Sequence, residues 1–222
     1  MLSFDLHVHT GYSMDSATNP RSVARIAKRR GLNGVAVTDH NTIRGGLEVA
    51  KCAEPGFHVI VGSEIRTEMG DIMGLFLNEE IKSTDPFEVI DEIKCQGGVT
   101  VLPHPFRSSL VFRKPSPATP LEIAEKVDAI EVFNARTLAA SNEKALILAR
   151  KLNKPMVAGS DAHFYPEMGN GKTLFPAPNG EEELKQAILT GKTAVERVSH
   201  AFIRAVPFYF IGFLYARTRN VA

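Results

Sequence analysis

Cysteine is almost missing from this sequence: Cys52 and Cys95 are the two in 222 residues, and no metal-type spacing joins them. That excludes a disulfide framework and a thiolate zinc cluster, and both residues are expected to be buried small apolar groups in a reducing compartment. An excess of one charge is missing too. With 26 Lys and Arg against 25 Asp and Glu, the formal net charge is +1, so there is no whole-protein basic field of the kind used for non-specific nucleic-acid binding, although a local basic stripe stays open. The N-terminus shows no basic n-region, apolar h-region or small-residue cleavage site, and a cytoplasmic protein is expected. Long apolar runs are also scarce. The one such stretch, "AFIRAVPFYFIGFLYARTRN", stays apolar for about fifteen residues, short of the ~20 that span a bilayer, and Arg204 and Pro207 interrupt it. It predicts an apolar C-terminal helix at about 200–217 that packs on the domain, with a homo-oligomer contact or a membrane surface as alternatives. No repeat, low-complexity tract or linker divides the chain, so residues 1–222 read as one domain.

What the sequence does contain is a regular alternation. Short β-branched runs at Phe4 to His9, Gly34 to Thr38, Phe57 to Ile65, Val99 to Pro103, Ala129 to Phe133 and Pro155 to Gly159 predict strands. Between them, Asn19 to Arg30, Thr42 to Ala53, Asp85 to Gln96, Pro120 to Lys126 and Leu138 to Leu152 carry apolar residues at helical spacing. In "TNPRSVARIAKRRG", Asn19 reads as an N-cap, Pro20 as the first helical residue and Gly31 as the stop. Such a rhythm with short connections predicts an α/β fold on a parallel sheet, open or closed into a barrel. "VIVGSEIRTEMGDIMGLFLN" breaks the rhythm and predicts a hairpin around "EMGD".

The polar residues gather where parallel α/β folds bind ligands, beyond the carboxyl ends of the strands. Alternation puts Asp5, His7 and His9 on one face of the first strand and Phe4, Leu6 and Val8 on the other. Later strand ends deliver Asp39 and His40, Glu64, His104, Asn134 with Arg136, and Asp161 with His163. Of the seven histidines, five (His7, His9, His40, His104 and His163) thus converge with Asp15, Glu64 and Asp161 on one rim, whereas His58 and His200 read as structural. Burying so many ionisable groups together is costly unless a cation compensates. Imidazole and carboxylate without thiolate favour zinc, manganese or iron at an open, catalytic position.

In order, "DLHVHT" with "YSMD", "GVAVTDHNT", "VGSEI", "VLPHP" and "GSDAH" resemble the motifs of the polymerase and histidinol phosphatase (PHP) family of phosphoesterases, over Leu2 to about Thr193. The resemblance implies a distorted (β/α)7 barrel and two or three divalent ions (Zn, Mn or Fe) that hydrolyse phosphate esters. It also implies that His7, His9, Glu64 and Asp161 hold one ion, that Glu64 bridges to a second held by His104, and that Asp15, His40 and His163 hold a third. Where some members have a ligand histidine at the end of the fifth strand, this chain has Asn134, whose amide oxygen would be a weaker donor.

In that scheme His40 or His163, if not both engaged as ligands, could protonate the leaving oxygen, while Arg107 and Arg136 could grip phosphate oxygens. Asp5 and Asp39 are expected to orient ligands rather than to bind metal. The connection from His104 to Pro120, carrying Arg107, Arg113 and Lys114, would flank a short, uncapped mouth suited to a nucleotide, a short oligonucleotide end or a sugar phosphate. Two other classes stay open: a metal-dependent amidohydrolase, disfavoured by the lack of a strand-end lysine to carboxylate, and a non-catalytic module of the same fold.

Overall fold

A computed structural model describes residues 1–107, 121–177 and 180–198. The elements run β1 (Leu2–Val8), α1 (Pro20–Arg29), β2 (Gly34–Val37), α2 (Arg44–Cys52), β3 (His58–Thr67), β4 (Gly70–Leu75), α3 (Pro86–Cys95), β5 (Val99–Leu102), α4 (Leu121–Lys126), β6 (Ala129–Asn134), α5 (Ala139–Lys151), β7 (Met156–Gly159), β8 (Gly171–Phe175), α6 (Glu181–Leu189) and β9 (Ala194–Arg197). Helix ends follow their cap residues. The Asn19 side chain accepts from the Arg21 N–H with Pro20 at the first turn, Asp85 accepts from the Phe87 and Glu88 N–H groups ahead of α3, and Gly31 closes α1 at φ 81°.

The strands form one sheet in the order β7-β6-β5-β4-β3-β2-β1-β8-β9. β1, β2 and β3 are parallel, as are β5, β6 and β7, and β4 joins the two sets antiparallel through the expected tight hairpin at Glu68–Met69. The sheet curls nearly closed. Just past β7, Ala162 bridges to Val8, its carbonyl accepting from the His9 N–H and its own N–H donating to the His7 carbonyl. Glycine is required at this closure, because a Cβ on Gly159 would lie 2.3 Å from the Cβ of His7. The result is the distorted seven-stranded barrel, with β8, α6 and β9 added after it.

One cluster, which includes Phe4, Leu6, Ile60, Leu75, Val99 and Val157, also takes in Phe175 of β8 and Leu184, Ala187 and Ile188 of α6. A second packs β5 and β6 residues such as Leu102 and Ile130 against α3 and α4, and a third packs Val8, Val35 and Val37 against α1 and α2. Val8 therefore does not share a cluster with Phe4 and Leu6, as strict alternation predicts. The β1–β2 register shifts between Asp5 and Val8, and such an irregularity changes which face the later residues occupy.

Two further expectations are corrected. Cys52 and Cys95 are both exposed, because each is the last residue of its helix, while the buried residues of α3 are Pro86, Val89, Ile90 and Ile93 and those of α2 end at Val49. β8, α6 and β9 were not anticipated, since their runs are short and polar: "GKTLF" and "AVER" show little strand pattern. His58 packs its ring 5.6 Å from that of Phe4, away from the other histidines. Among the described residues, no helix is long and apolar enough to cross a membrane. The expected helix at about 200–217, His200, Arg113 and Lys114 lie outside the described residues.

Candidate metal centre

The candidate ligands reach the centre from five strands and one loop. His7 lies in β1 and His9 just beyond it, His40 follows β2 and bridges to Glu64 in β3, His104 follows β5, and Asp161 and His163 follow β7. Asp15 comes from the loop between β1 and α1. Two ligands take left-handed backbone, His104 at φ 29° and Asp161 at φ 56°, a conformation that non-glycine residues rarely hold outside functional sites.

Glu64 is the hub. Its Oε1 lies 2.8 Å from His104 Nε2, and its Oε2 lies 3.3 Å from both His7 Nε2 and His9 Nε2 and 3.2 Å from His40 Nδ1. Asp161 Oδ1 is 3.3 Å from His9 Nε2 and 3.7 Å from His7 Nε2. On the outer side, Asp15 Oδ2 stands 3.4 Å from His163 Nε2 and 3.6 Å from His40 Nε2. Ligand atoms within 4.8 Å of one another fall into three overlapping triads: His7 with His9 and Asp161, His7 with Glu64 and His104, and His9 with His40 and His163. The structure thus brings together all eight expected ligands.

These residues fit a cation better than they fit one another. His7 Nε2 and His9 Nε2 face each other at 3.2 Å, and His40 Nδ1 and Asp161 Oδ1 are buried with no hydrogen-bond partner. His7, His9, Glu64 and Asp161 are fully buried, so their charges must be balanced locally. Burial alone would push both carboxyls up. The His40 and His7 imidazoles outweigh that for Glu64, as Arg107 and His7 do for Asp161, and hold both well below the usual carboxylate range. Conversely, burial would lower His7 and His9, but Glu131, Asp161 and Glu64 raise His7 well above its ordinary value, and Asp161 and Glu64 raise His9 to about 9. Asp15 is held below its normal value because His163 and His40 outweigh its desolvation. Without metal, protons on His7 and His9 supply the missing positive charge.

A pH dependence follows. A histidine raised to about 9 is protonated at pH 7, and a cation must displace that proton, whereas His163, lowered to about 4 by burial and Arg136, is already neutral there. Metal loading at pH 7 is therefore expected to release protons, and affinity to rise with pH toward about 9. Calorimetric titration in buffers of different ionisation enthalpy measures this; heats independent of buffer would refute the charge assignment.

A second layer sets the rings. The Ser13 hydroxyl has one proton and gives it to Asp39 Oδ1 at 2.7 Å, so its oxygen accepts from His9 Nδ1 at 3.1 Å and from the His40 backbone N–H at 3.0 Å. That leaves His9 Nε2 for the centre. Asp39 thus acts on His9 through Ser13, and its carboxylate also accepts from the Thr10 N–H and hydroxyl. Asp5 meets no ring: it accepts from the backbone N–H groups of His7, Ser160 and Gly169, and burial raises it to about 6.

The two arginines diverge. Arg107 donates to Asp161 Oδ2 at 3.0 Å, and its side chain is 37% exposed at the opening, next to Asp15, which is 58% exposed. Arg136, expected to hold substrate, instead lies buried. It donates to the Asp161 carbonyl at 3.4 Å and stands 3.8 Å from Glu167, whose carboxylate accepts from the His163 and Phe164 N–H groups. Its charge braces the loop that carries Asp161 and His163. Asn134 points its amide oxygen away from the centre, toward the Arg136 N–H and the Thr137 hydroxyl, and donates from Nδ2 to Glu131 and Asp161.

Sequence reasoning missed Glu131, Ser13 and Glu167. Glu131 had a visible signal, a charged residue inside the apolar run "AIEVFN"; Ser13 sits in a loop and Glu167 ends a single 3-10 turn, Tyr165–Glu167, and neither had one.

Comparison with known proteins places this arrangement. The PHP domain family model matches residues 5–156, and a PHP-associated model matches residues 139–193. Two uncharacterized proteins of Methanocaldococcus jannaschii are similar: one is 45% identical over 143 residues, 59% of this chain and 81% of that protein, and the other is 35% identical over 187 residues, 82% and 73% respectively. Among solved structures, a two-domain protein from Bacteroides vulgatus, described as containing a predicted PHP-like metal-dependent phosphoesterase, superposes with a TM-score of 0.73 at 23% identity over 89% of this chain. The chain spans 65% of the length of that protein.

Proposed function

This chain belongs to the PHP family, and from that premise we propose that it hydrolyses phosphate esters using water activated by two or three divalent cations (zinc, manganese or iron). The observation that carries the reading is the set of three overlapping ligand triads on one buried cluster, with Glu64 shared among four imidazoles. His7, His9, Glu64 and Asp161 would hold one ion, Glu64 and His104 a second, and Asp15, His40 and His163 a third. Bound there, the cations would lower the pKa of a shared water and offset charge on the phosphate oxygens.

The chain's own groups do the rest. Arg107 sits at the opening on Asp161 Oδ2, where its guanidinium could also pair with nonbridging phosphate oxygens. With only the first two positions filled, His40, 17% exposed on the side of Asp15, would be better placed than the buried His163 to donate a proton to the leaving oxygen. Small substrates suit the site: a nucleotide, a short oligonucleotide end or another small phosphate ester.

A panel of phosphate mono- and diesters set against N-acyl substrates, with metal-replete protein, tests the reaction class. Turnover of the esters alone is expected; turnover of amides alone would favour an amidohydrolase, and none at all a non-catalytic module. Arg107→Ala is expected to lower kcat/KM for esters by roughly 10–100-fold while metal content stays at least as high, because a substrate clamp holds no metal. Unaltered kinetics across several esters would remove Arg107 from the site.

A further inference from the structure

We propose that Glu131 is a positioning residue that prepares two cation positions, one through His7 and one through His104, by fixing the tautomer of the first ligand and the backbone of the second. The proposal deepens the metal reading above and rests on it. Glu131 is 1% exposed in β6, between core residues Ile130 and Val132, where a carboxylate survives only if each oxygen is matched. Both are. Oε1 lies 3.1 Å from His7 Nδ1, and Oε2 accepts from the His104 backbone N–H at 2.9 Å and from Asn134 Nδ2 at 3.0 Å.

An ionised carboxylate only accepts, so His7 must carry its hydrogen on Nδ1 and turn Nε2 to the centre. Nε2 is the atom that faces His9, Glu64 and Asp161, the side on which both His7 triads form. The contact with His104 does separate work. β5 ends at Leu102, and at φ 29° the N–H of His104 has left the strand ladder; Glu131 supplies its acceptor and so holds the turn that brings the ring to Glu64. The β6–β7 register shift between Glu131 and Phe133 is the kind of irregularity that re-aims a side chain beside a site. The third triad has its own support, since Ser13 holds His9 Nδ1 and the Asp161 carbonyl lies 2.8 Å from His163 Nδ1.

The test uses the full chain loaded with zinc. Glu131→Gln keeps the volume but turns one acceptor into a donor, and it is expected to weaken zinc at the positions of His7 and of His104 by roughly 10–100-fold, leaving that of Asp15, His40 and His163 unchanged. Glu131→Asp should recover part of the loss, and Ser13→Ala, which reaches the centre through His9 and the His40 backbone, should weaken the position of His40 and His163 as well as that of His7 and His9. In zinc-loaded wild type, nitrogen NMR should find the hydrogen of His7 on Nδ1. A hydrogen on Nε2, or wild-type zinc affinity in Glu131→Gln, would overturn the proposal, and the NMR result decides even where the variant fails to fold. Wild-type protein that takes up neither zinc nor manganese would instead sink the metal reading itself, and this proposal with it.

Discussion

Exhaustive chelation is expected to reduce phosphate-ester hydrolysis by at least roughly 10⁴-fold, to near the uncatalysed background, and added manganese or zinc to restore it. The size follows from the nucleophile: metal binding lowers the pKa of water from far above the working range to about 7. Among the described residues at the opening, Arg107 carries charge but no lone pair with which to activate water. Chelation should leave the barrel folded. Its core clusters do not depend on the centre, and the protonated imidazoles balance Glu64 and Asp161 when metal is gone. The checks are turnover, metal content by mass spectrometry and circular dichroism on the same sample. Full activity in metal-free protein would end the proposed mechanism.

The second large effect is expected at Glu64. Glu64→Gln should lower metal stoichiometry and kcat/KM together, the latter by roughly 10³-fold, or about 4 kcal/mol. The two oxygens of Glu64 stand within 3.3 Å of nitrogens from His7, His9, His40 and His104, so on the proposed reading this side chain would be common to the ligand sets of two or more ions. Glutamine fills the same space yet removes the charge and presents an N–H₂ group to imidazole nitrogens that must remain free for metal. The outcome differs in kind from that at Arg107, where turnover falls without loss of metal. Unchanged metal content with normal turnover would show that Glu64 does not bridge. Gln at this position should also weaken the pull on His9, lowering its pKa from about 9 toward the ordinary histidine value.

The amino-acid sequence by itself determined the α/β rhythm, the hairpin at "EMGD", the helix caps at Asn19 and Asp85, and the eight residues that meet at the centre. Those features are local: a cap residue, a period, and the rule that strand ends carry ligands act over a few residues, and His7, His104 and Asp161 could be placed from their own neighbours. What a side chain does inward depends on residues far along the chain, and that only the tertiary structure decided. The irregularity between Asp5 and Val8 split Val8 from Phe4 and Leu6, because register is set by the neighbouring strand β2. Arg136 looked like a substrate ligand by its spacing from Asn134, but the Asp161 loop folds over it and uses its charge. Glu131 lies 124 residues from His7, and Ser13 lies 26 from Asp39, so no periodicity could reveal that these pairs fix the ligand tautomers. Strand pattern delivers metal ligands to one rim, whereas the hydrogen bonds that orient them form between distant segments only when the barrel closes.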